Sequence, residues 1–355
     1  MDKCVTVLGA GSSGMTTAAY LGMEGWDVTL CDTPEQSGDF EVIRRQNGII
    51  LRGGSGKTGC QMPWKLTNNF KEALSGVKRV IICVSAGRHE EVARLVAPLA
   101  EEGQSFLLSP GNFGSFYFKK ELEAEGKKGV KVAELSGNLW ACRRTAPGEV
   151  LSSNPLKKSL KVAALPSMDT EAVIEDFSDV LPLTAAANII EASLNSPNVV
   201  SHVSGAVLNA TDIERKGKDY AFFMDGLGEA VLTCFGNLEN ELKAVMDKLG
   251  LGVYNPPSEG HMRRLMDQEH YPELDYFRRL DGPSSFRHRY VSEDAACGVA
   301  MLVSLGQQYQ VPTPVTQSFL TIAGAINGVD YLHEGRTLEN LGLSGLTIQE
   351  LMEQL

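Results

Sequence analysis

Cys4-Val5-Thr6-Val7-Leu8-Gly9-Ala10-Gly11-Ser12-Ser13-Gly14-Met15-Thr16-Thr17-Ala18-Ala19-Tyr20-Leu21 decides the fold. Cys4 to Leu8 is a short apolar run that predicts a strand, and Met15 to Leu21 predicts a helix. Between them Gly9 to Gly14 spells G-x-G-x-x-G. The bare pattern is weak, but strand, glycines and helix in that order form a dinucleotide-binding fingerprint. Gly9 permits the tight turn, Gly11 lets backbone approach a pyrophosphate, and Gly14 lets helix and strand pack closely. The helix N-terminus offers unpaired N–H groups and the positive dipole end to the phosphates. Gly9, Ala10, Gly11, Ser12, Ser13 and Gly14 are therefore the expected cofactor-binding residues.

The next predicted strand, Trp26-Asp27-Val28-Thr29-Leu30-Cys31, ends at Asp32. Asp32 lies about 18 residues beyond Gly14, close to the spacing of about 20 expected of a ribose-binding acid. A carboxylate there accepts the ribose hydroxyls and repels a 2′-phosphate. Thr33-Pro34-Glu35-Gln36 follows, with no neighbouring Arg to receive such a phosphate. The expectation is NAD rather than NADP. The plainer alternative is a strand-end Asp that only opens a turn.

At 355 residues the chain is expected to form two domains, because single cores seldom grow beyond about 250–300 residues. Its 43% hydrophobic and 22% charged content is that of an ordinary globular protein. The net charge of −11 argues against nucleic acid or an acidic membrane as partner. The seven cysteines (4, 31, 60, 83, 142, 234 and 297) form no C-x-x-C, and reduced, buried thiols are expected. The first strand begins at once, so no signal peptide is expected, and no apolar run reaches the length of a membrane helix. Together these point to a cytoplasmic protein acting on small molecules.

Strands and helices alternate through the first half. Val80-Ile81-Ile82-Cys83-Val84 reads as a strand buried on both faces, and Phe106-Leu107-Leu108 as another, ending in Ser109-Pro110-Gly111-Asn112. Val130–Glu134 and Leu160–Leu165 are further strand candidates. Arg52-Gly53-Gly54-Ser55-Gly56-Lys57-Thr58-Gly59 ends like a phosphate-binding P-loop, but position 51 is Leu where that motif needs Gly. It is read as a hairpin loop. The texture changes near residue 185. Ala221–Leu249 has sustained helical spacing, residues 255–290 predict shorter helices and loops, Ser292–Gln310 returns to helix, and Thr347-Ile348-Gln349-Glu350 is a capping box. The expected fold is an α/β Rossmann-type dinucleotide-binding domain over 1–185, followed by an all-α domain over 186–355.

A nicotinamide enzyme needs a proton donor beside the carbon that receives hydride, a role that suits histidine. The six histidines (89, 202, 261, 270, 288 and 333) form no H-x-x-x-H pair and no Cys stands at zinc spacing, so no metal site is expected. His202 stands out in Asn195-Ser196-Pro197-Asn198-Val199-Val200-Ser201-His202. Pro197 suits the first turn of a helix, and Asn198 and His202 then share one face at i and i+4. Further on comes Arg287-His288-Arg289-Tyr290-Val291-Ser292-Glu293-Asp294. Its plain reading is a helix start with Ser292 as cap and Glu293 and Asp294 at the positive dipole end. Its functional reading pairs Asp294 with His202. A carboxylate on one imidazole nitrogen fixes the tautomer, orients the ring and raises its pKa, and the other nitrogen donates a proton.

The fingerprint, the Asn-x-x-x-His segment, the Arg-Tyr-x-x-Glu-Asp segment and the late Gly335-Arg336-Thr337-Leu338-Glu339-Asn340-Leu341-Gly342-Leu343 together resemble the opine dehydrogenase family of octopine/nopaline type. The resemblance spans nearly the whole chain. It implies a Rossmann domain and an α-helical domain with the reaction in the cleft between them. It implies NAD(P)H-dependent reductive condensation of an amino acid with a 2-oxo acid such as pyruvate, and the reverse. It implies that His202 is the catalytic histidine, Asp294 its partner acid, Arg289 the carboxylate-binding arginine, and Asn198 the amide one turn before the histidine. Members often carry Pro-Gly-Arg after the central strand; this chain has Pro110-Gly111-Asn112, so a cationic role of that loop is not carried over. Arg143 lies in a segment similar to one common in the family, with a structural role equally open. Two alternatives remain: a 2-oxo acid reductase of the same superfamily, and a non-catalytic dinucleotide-binding protein. A homodimer is left open.

Overall fold

The structure is a computed structural model that describes residues 3–254 and 258–355. It comprises two compact units, one ending at Ala192 and one beginning at Ser193. Among the described residues, twelve strands lie in the first: β1 (Cys4–Leu8), β2 (Asp27–Cys31), β3 (Ile49–Gly53), β4 (Gly59–Gln61), β5 (Lys65–Thr67), β6 (Arg79–Ile82), β7 (Ser105–Leu108), β8 (Lys131–Leu135), β9 (Cys142–Ala146), β10 (Glu149–Ser152), β11 (Leu160–Ala164) and β12 (Leu183–Ala185).

Eight strands form the main sheet in the order β12-β11-β8-β7-β6-β1-β2-β5, with every neighbouring pair parallel except β8 and β11. The inner strands are continuous apolar runs because helices cover both faces. Val5, Val7, Leu8, Val80, Ile81, Ile82, Phe106, Leu107 and Leu108 are all fully buried. From β1 the chain moves outward to β2 and then β5, and it returns to β6 on the other side of β1. The strand order thus reverses at β1, and ligands of open α/β sheets bind at the carboxyl ends of the strands at such a switch point. The glycine turn leaves β1 at that end.

A second sheet, β4-β3-β10-β9, was not foreseen. Its β3 and β4 are antiparallel, so Gly54 to Thr58 is the hairpin loop expected of it. Asp176, on the helix Thr170–Phe177, ties three strands together: Ser105 donates to its carboxylate, and Lys78 and Lys131 pair with it at 2.6 and 3.1 Å.

The second unit is helical. Pro197 opens the helix Pro197–Leu208, as its fixed φ favours, and the Thr347 capping box opens Ile348–Gln354. Two expectations are corrected. Ala221–Leu249 is not one helix but two, Phe222–Asp225 and Glu229–Leu249. The periodicity is real, but Gly226 and Gly228 interrupt it. A Cβ on Gly226 would lie 2.2 Å from the Tyr220 hydroxyl, and Gly228 is fully extended at φ −167° as it caps the second helix. Ser292 does not cap a helix either. The helix runs Arg289–Asp294 with His288 as its cap, and the Ser292 hydroxyl donates back to the carbonyls of Arg287 and His288. Of the segment 255–290, expected to form shorter helices and loops, residues 255–257 lie outside the described residues. No helix among the described residues is long and apolar enough to cross a membrane.

Candidate active site

The glycine turn is built by close approach. Gly9 has φ +109°, and a Cβ there would lie 2.4 Å from the Cys83 carbonyl oxygen. Its N–H donates to Cys31 O at 2.8 Å, and Cys83 N–H donates to Leu8 O at 2.7 Å, so the ends of β2, β1 and β6 are laced together. A Cβ on Gly14 would fall 1.7 Å from the Gly9 carbonyl oxygen, which lets the helix Ser12–Met23 start directly against the turn. Gly11 differs: a Cβ there would meet nothing within 4 Å. Its side is open, as a backbone approached by a ligand's phosphate must be. The first N–H groups of that helix have no intrahelical acceptor, so an anion fits here. The residues suit a dinucleotide's pyrophosphate.

Asp32 follows β2 and is buried. Its Oδ2 accepts from Ala10 N–H at 2.7 Å, and its Oδ1 accepts from Thr33 N–H at 2.8 Å and from Arg88 Nη2 at 3.0 Å. The expectation that no arginine stands near Asp32 is therefore corrected. Arg88 is remote in sequence, but it lies on the turn after β6, and β6 and β2 flank β1. Burial works against the Arg88 cation, but hydrogen bonds to Glu91 and Asp32 outweigh it and hold its pKa above the usual guanidinium value.

In the helical unit, His202 and Asp294 meet. His202 Nδ1 lies 2.7 Å from Asp294 Oδ2, and the two residues are only 5% and 6% exposed. Against an ionised carboxylate Nδ1 is the donor, which leaves Nε2 as the nitrogen for other chemistry. Asp294 ends the helix Arg289–Asp294 and is followed by a π-helical stretch, Ala295–Val299. A Cβ on Gly298 in that stretch would lie 2.6 Å from Val199 Cγ2, so its absence lets this segment come close to the histidine's helix. The imidazole stacks on Tyr290, with ring centroids 3.6 Å apart and planes 9° apart, and Phe222 meets it edge-on. Gly205 makes room for Phe222, since a Cβ there would be 2.5 Å from its ring. Arg289, half-buried one residue before Tyr290, sets its guanidinium 5.7 Å from that ring's centroid. Asn198, half-buried, lies one turn before His202 on the same helix.

A family model described as "NAD/NADP octopine/nopaline dehydrogenase, alpha-helical domain" matches residues 185–327, and one for ketopantoate reductase matches residues 5–112. An opine dehydrogenase of Arthrobacter sp. (strain 1C) is 31% identical over 98% of this chain and 97% of its own. The chain belongs to the opine dehydrogenase family. It is an NAD(P)-dependent dehydrogenase acting on CH–NH donors, of the kind that reductively condenses an amino acid with a 2-oxo acid. A vitopine synthase of Allorhizobium ampelinum is 23% identical over 99% of this chain and 98% of its own. The fold is shared with solved structures of octopine dehydrogenase with NADH and agmatine (TM-score 0.71, 18% identity, 98% and 97% of the two chains) and of yersinopine dehydrogenase with NADP⁺ (TM-score 0.65, 15% identity, 100% of each).

Several residues that shape the candidate site escaped sequence reasoning. Glu134, fully buried, accepts from Phe113 N–H at 2.9 Å and Ser115 N–H at 2.7 Å, and so holds the loop after β7, where Asn112 and Phe113 have φ of 51° and 64°. A buried carboxylate thus organises the loop that carries Asn112. Arg143 lies on β9 of the second sheet, its guanidinium donating to Cys142 O at 3.0 Å. Tyr290 and Phe222 gave only a generic aromatic signal. Arg88 had a usable one: it follows an apolar run whose carboxyl end, like that of β1, borders the switch point.

Proposed function

We propose that the chain uses NADH to condense an amino acid with a small 2-oxo acid such as pyruvate, and runs the reverse reaction with NAD. The 1–185 region would hold the cofactor and 186–355 the substrates and proton chemistry. Gly9, Ala10, Gly11, Ser12, Ser13 and Gly14 cradle the pyrophosphate, and Asp32 faces the adenosine ribose. The reduced nicotinamide, when bound, supplies hydride to the carbon of the imine formed from the two substrates. His202 manages the protons of condensation or reduction through Nε2. Asp294 holds the ring and stabilises its cationic form. Arg289 anchors a substrate carboxylate by a two-pronged contact, which its planar fork makes better than lysine. Asn198 contributes an amide on the histidine's own helix face.

The observation that carries these roles is the buried 2.7 Å pair of His202 and Asp294, joined from two helices. A carboxylate–imidazole pair removed from water is the arrangement by which a histidine is held in one tautomer for proton transfer. The test is a screen of NADH oxidation with individual amino acids against pyruvate, glyoxylate and 2-oxoglutarate, with single-substrate controls. At least one pair should give turnover that needs both components, and His202→Ala should lower that turnover by about 10²–10⁴ while NADH binding stays intact. Full turnover with keto acid alone, or near-wild-type turnover in His202→Ala, would sink the assignment.

A further inference from the structure

Arg88 ends the short turn Ala86–Arg88 and stands at the start of the helix His89–Val96. Besides its 3.0 Å contact with Asp32, its guanidinium makes a fork onto Glu91, with Nε 3.2 Å from Oε2 and Nη2 3.2 Å from Oε1. The three side chains differ in exposure: Asp32 4%, Arg88 19%, Glu91 50%. Asp32 is locked in place by two backbone N–H groups. Glu91 is a surface carboxylate that can swing into water at little cost, since exposed ion pairs contribute little net stability. The guanidinium edge now covered by Glu91 has the geometry that takes two oxygens of a phosphate.

We propose that Arg88 is the receptor for the 2′-phosphate of NADPH, with Glu91 as the internal carboxylate that competes for it. The proposal rests on the ribose position assigned above to Asp32. The locked Asp32 charge opposes a 2′-phosphate, the permanent Arg88 cation offsets that opposition, and Glu91 sets the balance. Exposed Glu35, whose carboxyl is held below its ordinary range first by its own backbone N–H and last by the Arg88 charge, adds to the acid side. Preference for NADH is then shallow: NADPH is a working cofactor, and the preference is adjustable at a surface residue that touches no substrate.

The test is calorimetric binding of 2′,5′-ADP and 5′-AMP, which carry no nicotinamide and cannot turn over. It compares the full chain with Glu91→Gln and Arg88→Gln. Glu91→Gln should tighten 2′,5′-ADP about fivefold or more and leave 5′-AMP within about twofold. Arg88→Gln should weaken 2′,5′-ADP about tenfold or more with a much smaller effect on 5′-AMP. The ratio of kcat/KM for NADPH to that for NADH should move with these affinities. Unchanged 2′,5′-ADP binding in Glu91→Gln overturns the proposal. So does an equal loss of both ligands in Arg88→Gln, which would mark Arg88 as an adenine-stacking or structural residue. If Arg88→Gln fails to fold, the exposed Glu91→Gln decides alone. Failure of 5′-AMP to bind the unaltered chain would overturn the ribose position itself.

Discussion

Asp32 in the first unit and Asp294 in the second are both buried carboxylates beside a nitrogen cation or base, at 3.0 Å from Arg88 and 2.7 Å from His202. Asp32 also accepts from two backbone N–H groups, and its partner never loses its charge under physiological conditions. Asp294 faces a side-chain type that titrates near neutrality. On the proposed function, the same acid is a static anchor in one place and half of a proton-handling pair in the other. Their difference lies in the partner and in how much of the carboxylate is already committed to backbone.

That contrast can be broken most severely at Asp294. Asp294→Asn keeps shape and removes charge, so the imidazole loses the anion that stabilises its cationic form. Turnover should fall by about 10²–10⁴ with cofactor affinity unchanged. If kcat holds and only thermal stability drops, Asp294 is an anchor of the Asp32 kind.

The glycine turn beside Asp32 sharpens the contrast from the other side. Gly11→Ala places its Cβ in open space, so melting temperature should barely move, while the NADH Kd should rise about tenfold or more. Gly14→Ala drives its Cβ into the Gly9 carbonyl oxygen and should lower both affinity and melting temperature. Fluorescence titration and thermal melts separate the two. Equal behaviour of the variants would remove the distinction between a ligand-facing and a packing glycine.

The smallest expected effect belongs to Asp176, a buried carboxylate with only a structural task. Burial pushes its pKa up, but hydrogen bonds from Lys78, Ser105 and Lys131 outweigh this and hold it below the ordinary 3.8. Its stabilisation is therefore complete above the unfolded value of 3.8 and disappears as pH falls through the lower folded value. Asp176→Asn should cost about 1–3 kcal/mol in urea melts at neutral pH, with the gap between the two proteins narrowing as pH falls below 3.8. A loss that persists undiminished as pH falls would deny the charge any part in it.

Much of this was legible locally. The glycine turn, the strands around it, the hairpin after β3, the start of the histidine's helix at Pro197 and the capping box at Thr347 each depend on neighbours in sequence, because backbone conformation and capping are settled within a few residues. Pairing Asp294 with His202 needed the family resemblance as well as the residue types. No local rule joins positions so far apart, and the structure supplies the contact through the π-helical stretch and the missing side chain of Gly298. The break of the predicted helix at Gly226 and the misplaced cap at Ser292 have one cause. Periodicity records which face is apolar, whereas tertiary crowding at Tyr220 and the position of His288 decide where a helix starts.

The sequence by itself determined a dinucleotide fold followed by helices, and the residue types from which this chemistry is built. Only the tertiary structure decided which charges meet: Arg88 with Asp32 and Glu91, Glu134 with the loop after β7, and the stack of Tyr290 on His202. The reason is physical. Turns and helix ends are chosen by short-range sterics and backbone hydrogen bonds, while the partner of a buried charge is chosen by the sheet order and helix packing that exclude water around it.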